Sequence, residues 1–198
     1  MVASMLQTAM EEDSFAQTHP LSGRPVQTSQ QIESMFDTIS YNKGASIIRF
    51  VQSYADSKAA NAFQQSLQQY MADFKYGNTV YQDLWREVAN TLGDPGLIEK
   101  LKPWTVDEGY PVVKLRWKNG GDDTVAGEMR LLQQRFFRSS ASREAAPPGT
   151  DDTVWWIPLQ FAAQRPGSDP GVEAINAALR DDGFFGNVYG GPVSMNLT

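Results

Sequence analysis

No cysteine occurs among the 198 residues, and histidine occurs once, as His19. The first absence excludes disulfides and thiolate metal sites, and it fits a reducing compartment such as the cytoplasm. The second excludes a metal site built on two histidines. Cations are scarce as well: 17 Lys and Arg stand against 23 Asp and Glu, a net charge of −6. That balance argues against nucleic acid as a partner, which needs clustered cations to neutralise phosphates. No apolar run approaches the roughly 20 residues that span a bilayer. The opening Met1-Val-Ala-Ser-Met-Leu6 has neither the basic n-region nor the apolar core of a signal peptide. No Gly-x-Gly-x-x-Gly follows a strand pattern, and Tyr41 and Lys43 lack Tyr-x-x-x-Lys spacing, so a nucleotide cofactor is unsupported. Ser139 to Ser142 has no histidine near it in sequence, which leaves no nucleophile–base pair for a serine hydrolase.

What is present is globular: 41% of residues are apolar and 11% aromatic, enough for a core in a chain of this length. The pattern is helical up to residue 109. A helix end is expected over 1–12, a loop from Asp13 to Gln30, a short helix over 29–36, and a longer one from Tyr41 to Ala55. Asp37 or Ser40 would cap the longer helix, and Ala45, Ile48, Val51 and Ala55 would line one side of it. Phe63, Leu67, Tyr70, Met71 and Phe74 recur at helical spacing and read as a core stripe ending near Gly77. Thr79-Val-Tyr-Gln82 fits a capping box for a helix burying Tyr81, Leu84, Trp85, Val88 and Leu92, with Gly93 as its stop. One more short helix, about Pro95 to Leu101, leads to Trp104.

After Gly109 the period changes to two. Val113, Leu115 and Trp117 alternate with Lys114, Arg116 and Lys118, and Asn119-Gly-Gly-Asp-Asp123 supplies turn chemistry. Strands are expected over 128–137 and 153–162, with a polar loop from Ser139 to Asp152 between them. Beyond Arg165 no alternation is evident: Val172, Ile175 and Leu179 hint at a helix, and 183–192 is glycine-rich. The divisions are therefore a helical part at 1–109, an antiparallel β part at 110–164 and an irregular or divergent tail at 165–198.

Many short motifs, in order, carry a family resemblance. They are His19-Pro20-Leu21, Ile32 through Phe36-Asp37, and Ile39-Ser40-Tyr41-x-Lys43-Gly44-Ala45-Ser46. They continue with Phe63, Tyr70, Asn78-Thr79 and Asp83-Leu84-Trp85, and then with Trp104-Thr105 and Gly109-Tyr110-Pro111-Val112-Val113. Leu131-x-Gln133-x-Arg135-Phe136 and Trp156-Ile157-Pro158-Leu159 follow. From Met1 to Leu159 the chain resembles the M1 family of zinc aminopeptidases, downstream of their metal-binding helices.

The resemblance implies an α+β fold: the helical C-terminal part of a thermolysin-like catalytic domain, then an incomplete antiparallel β-sandwich. It also implies a role for Tyr41 as the tyrosine that hydrogen-bonds the tetrahedral intermediate of peptide hydrolysis. A phenol suits that role because it donates an O–H and stays neutral at pH 7, with a pKa of about 10. Its place at a helix start would let unpaired N–H groups face the same cleft. Read from its own segment alone, Tyr41 is equally an ordinary boundary aromatic.

In complete enzymes of this kind His-Glu-x-x-His and a further glutamate hold zinc, and the glutamate between the histidines is the base. Nothing in this chain matches that motif, nor the Gly-x-Met-Glu-Asn type motif for the substrate amine. The expectation is a partial M1 aminopeptidase that binds no zinc and is inactive alone. A peptide would be the substrate of the complete enzyme, with an N-terminal half or a second copy as partner. The alternative is a non-catalytic interaction module on the same scaffold. His19 reads as a loop hydrogen-bonder, and Glu11, Glu12 and Asp13 as a solvated helix end.

Overall fold

The computed structural model describes residues 2–118, 128–150, 152–163 and 173–179. Helices and short antiparallel pairing coexist in the α+β architecture that the periodicities anticipate. The chain divides into two compact units: Met1–Tyr110 with Arg135–Thr153, and Pro111–Gln134 with Val154–Thr198.

The first unit is helical. It holds α1 (Val2–Glu12), α2 (Ser29–Glu33) and a single π-helical turn (Ile39–Lys43) that runs directly into α3 (Gly44–Lys58). Then come α4 (Ala62–Asp73), α5 (Tyr81–Leu92), α6 (Leu97–Val106) and, after the first two strands, α7 (Ser140–Glu144). Caps explain several of the starts. The Gln31 amide nitrogen donates to Thr28 Oγ1 while the Thr28 amide donates to Gln31 Oε1, a reciprocal box that opens α2. Before α5 the expected Thr79–Gln82 box is displaced by one residue. Asp83 accepts from the Val80 amide at 2.9 Å, and Thr79 Oγ1 instead meets Tyr70 Oη at 2.6 Å. Gly93, at φ +63°, ends α5 as anticipated. Ser139 caps α7 through Ser142 N–H, so the expected polar loop contains one helical turn.

The core of this unit lies between α3, α4, α5 and α6, around Val51, Ala55, Phe63, Trp85, Val88, Leu97 and Leu101. Trp85 donates its indole N–H to Thr105 Oγ1 at 3.1 Å, tying α5 to α6. The last helix is longer than the pattern suggested, because Pro103 sits inside it with Trp104. Two stripes are also redistributed. On α3 the buried residues are Ile47, Val51 and Ala55, while Ala45 and Ile48 face solvent. On α4 only Ala62, Phe63 and Ser66 are buried, and Leu67 and Met71 are exposed. Helical spacing identifies an apolar stripe, but neighbouring elements decide how much of it they cover.

The second unit contains β1 (Pro111–Lys118), β2 (Glu128–Arg135, whose last residue belongs to the first unit), β3 (Ile157–Ala163) and β4 (Glu173–Leu179). β1 is hydrogen-bonded to β2, and β3 to β4. The β3–β4 pair is antiparallel, with Ile157 opposite Leu179 and Phe161 opposite Ile175. The helix hinted at by Ile175 and Leu179 is therefore a strand: pairing with β3 overrides a weak i, i+4 spacing. Leu131 and Trp155 are the buried anchors here. Gln133 clamps the Trp155 backbone from both sides, accepting its N–H and donating to its C=O, each at 2.9 Å. The expected turn at 119–123 and the glycine-rich stretch at 183–192 lie outside the described residues.

Candidate functional site

Asp37 organises the segment before α3. Its Oδ1 accepts from the Ser40 amide at 2.8 Å, and its backbone oxygen from the Tyr41 amide at 3.1 Å. Of the two caps expected from sequence, Asp37 is the one used. The turn that follows closes in π geometry, with Gly44 N–H reaching back to Ile39 O as well as Tyr41 O. Single π turns inside helices recur at functional sites. The amides of Ser40 and Tyr41 are thus engaged, which corrects the expectation of free N–H groups beside Tyr41. The helix begins earlier than expected, so Tyr41 sits inside a hydrogen-bonded turn.

Along this turn the side chains alternate. Ile39 and Lys43 are buried, and Tyr41 between them is 57% exposed, with its ring 6.3 Å from that of Phe36. Among the described residues no hydrogen bond engages the Tyr41 hydroxyl. Among these residues it is an unengaged donor on an exposed side chain.

His19 braces the start of the turn. Nδ1 lies 2.9 Å from Pro20 O, and Nε2 lies 2.5 Å from Asp37 Oδ2. Burial pushes the Asp37 carboxyl upward, but the Ser40 amide and the His19 ring outweigh it and hold the carboxyl below its ordinary value. Both imidazole nitrogens are thereby occupied in a structural role.

Lys43 and Asp13 form a buried pair, 2.8 Å apart, with side chains 5% and 2% exposed. Asp13 Oδ1 also accepts from Thr18 Oγ1 at 2.9 Å and from the Gly109 amide at 3.0 Å, and Lys43 donates to Gly109 O at 3.0 Å. The expectation that Glu11, Glu12 and Asp13 form a solvated helix end therefore holds for the two glutamates and fails for Asp13. Chain reversal after α1 carries Asp13 inward, where a cation and two donors compensate its charge. Tyr110 follows Gly109. Burial, and then the Asp13 charge, push its phenol up to about 12.

Zinc does not fit these donors. Among the described residues no group of three or more His, Asp or Glu side chains is placed to hold a metal ion. The one histidine already has both nitrogens engaged.

Compared with known proteins, residues 1–104 match the model of the peptidase family M1 domain. This chain belongs to peptidase family M1. Its M1 relatives include aminopeptidase Ey of Gallus gallus, 32% identical over 81% of this chain and 16% of the relative. Glutamyl aminopeptidase of Mus musculus is 32% identical over 88% of this chain and 18% of the relative. Probable aminopeptidase 1 of Saccharolobus solfataricus is 29% identical over 96% and 23%. The chain thus spans less than a quarter of each of these M1 relatives.

The structure brings the sequence-named Tyr41 into one neighbourhood with Phe36, Asp37 and His19. Sequence reading passed over the Asp13–Lys43 pair. The signal available was Lys43 as the one charged residue from Ile39 to Ile48, where a charge at a buried position demands a partner.

Proposed function

We propose that this chain supplies the oxyanion-stabilising tyrosine of an M1 aminopeptidase that removes N-terminal residues from peptides. Its helical unit would be the C-terminal part of a thermolysin-like catalytic domain (residues 1–109), and 110–164 the beginning of a β-sandwich. The observation that supports this most is the free, outward Tyr41 hydroxyl on a π turn, within the segment matched to the family.

The chemistry assigned to this chain is limited to what its own residues do. As the scissile carbonyl becomes tetrahedral its oxygen gains charge, and an O–H donor that is already fixed in place binds that oxygen more tightly than it binds the ground state. Tyr41 remains a donor throughout, with no need to lose its proton. Asp37 and His19 hold the backbone beneath it. The M1 metal is zinc, and its ligands would come from residues other than those of this chain.

The test is to combine the chain with a metal-binding segment of an M1 relative that is inactive alone, and to assay cleavage of an aminoacyl anilide. Activity is expected to appear on mixing. Tyr41→Phe should lower kcat by about 10²–10³, or roughly 2.7–4 kcal/mol, with KM nearly unchanged. Restored activity that is indifferent to Tyr41→Phe would overturn the assignment. Elemental analysis of the chain alone is expected to find no stoichiometric zinc, and tightly bound zinc would contradict this reading as well.

A second reading, a non-catalytic interaction module, draws on the exposed Phe36 and Tyr41, whose rings lie 6.3 Å apart beside the same turn. Exposed apolar side chains in one place favour a partner or a second copy. A stable complex with the metal-binding segment, without catalysis, would favour it.

A further inference from the structure

We propose that Lys43 is a positioning residue for Tyr41, acting through its buried pair with Asp13; the proposal rests on the reading of Tyr41 as the oxyanion donor. Residues two apart on a helical turn lie on opposite sides of it. Lys43 is drawn inward by Asp13 Oδ2 at 2.8 Å and Gly109 O at 3.0 Å. With Lys43 fixed inward, Tyr41 must project outward. Ile39, buried two residues on the other side, sets the same direction. The turn is therefore pinned on both flanks of Tyr41, by apolar packing at 39 and by a charge pair at 43.

The pair also selects the π geometry. A π turn is the rarer alternative to an α turn and needs a specific contact to persist. Lys43 ends that turn, and from there its ammonium meets Asp13 Oδ2 and the Gly109 carbonyl together. If the turn rewound as an α-helix, the direction of every side chain from 39 to 43 would change and the paired charges would separate. Asp13 is fixed independently of Lys43 by Thr18 and the Gly109 amide, so it acts as a fixed anchor. Lys43 touches no reacting atom. Its effect passes through the backbone.

A merely stabilising ion pair would behave differently, and the absence of cysteine makes the distinction accessible. Lys43→Met and Asp13→Asn each remove the charge match while keeping side-chain length or shape. In the 198-residue chain, amide hydrogen exchange at 40–44 is expected to accelerate roughly a hundredfold in Lys43→Met. Protection across α5 should change far less, and the Phe36–Tyr41 ring contact should be lost by nuclear Overhauser spectroscopy. Lys43→Cys introduces the sole thiol. Aminoethylation of that thiol in the unfolded chain, followed by refolding, restores an ammonium at almost the original reach. It is expected to restore both the protection and the ring contact.

In the complemented enzyme, Lys43→Met should lower kcat with little change in KM, and should add little to Tyr41→Phe. Uniform loss of protection in both the turn and α5 would overturn the proposal. So would unchanged exchange at 40–44, or additive effects on kcat. If Lys43→Met does not fold, Asp13→Asn gives the same comparison with the lysine left in place. Should Tyr41→Phe leave kcat unchanged, the reading of Tyr41 fails, while the exchange data still decide whether Lys43 holds the turn.

Discussion

Gly109 and the Arg135 side chain occupy one space. A Cβ built on Gly109 would lie 2.5 Å from Arg135 Nε and 3.0 Å from its Cδ. Gly109 also has φ of +80°, in the left-handed region where L-residues are strained. Arg135 is itself buried at the end of β2, near Glu108 and over the Phe137 ring at 4.7 Å, so it cannot swing away into solvent. Gly109→Ala is therefore expected to cost more than the strain alone, about 2–4 kcal/mol in all. Urea unfolding of the two proteins measures the difference. A loss below half a kcal/mol would mean that Arg135 moves aside freely.

Tyr110 provides a pH marker at the same corner. Burial and the neighbouring Asp13 charge raise its phenol from 10.0 to about 12. The folded value lies above the unfolded one, so its contribution is complete below pH 10 and is lost between pH 10 and 12. Ultraviolet titration near 295 nm should show a late ionisation step for Tyr110, which Tyr110→Phe removes. Asp13→Asn should move that late step downward, because the second cause is removed. An unmoved step would assign the shift to burial alone.

The His19–Asp37 contact makes an acid-side prediction. The Asp37 carboxyl is held below its ordinary 3.8, so its stabilising effect is present above that value and is lost as pH falls through the depressed one. Asp37→Ala removes the Ser40 cap and should cost about 1 kcal/mol near neutral pH. His19→Gln should keep most of the cap while moving the acid-unfolding midpoint upward. Circular dichroism across pH 2–6 distinguishes the two variants, and coincident acid transitions in His19→Gln and the parent would contradict the assigned role of His19.

How much was legible in the chain follows the range of the signal. Gly93 at the end of α5 and the burial of Trp85 and Val88 came from local pattern, because each depends on residues within a few positions. Tyr41 was named through its family surroundings. The Asp13–Lys43 pair joins residues 30 apart, and Gly109 reaches the Asp13 carboxylate across 96. Neither partner announces the other in one sequence. Asp13 was read as solvent-facing because acidic residues at a helix end usually are. The β4 strand was missed for a related reason: its pattern is weak, and pairing with β3 is what fixes it. The π turn leaves no periodic trace at all, since one extra residue in one turn is smaller than the window that detects a helix.

Two apolar side chains of the helical unit, one buried and one exposed, separate under mutation. Leu101 on α6 is 1% exposed, so Leu101→Ala removes buried methyl groups and leaves a cavity, at about 2–5 kcal/mol. Met71 on α4 belongs to the stripe that helical spacing assigns to the core, but it is 67% exposed. Met71→Gln preserves helix propensity and length, so its effect on stability is expected to stay within about 0.5 kcal/mol. If a partner covers this face in a larger assembly, Met71→Gln should weaken that association while leaving the unfolding midpoint of the isolated chain in place. Parallel urea titrations of the two variants decide the matter. A loss at Met71 comparable to that at Leu101 would mean that α4 is covered in the isolated chain and that helical spacing alone had identified its buried face.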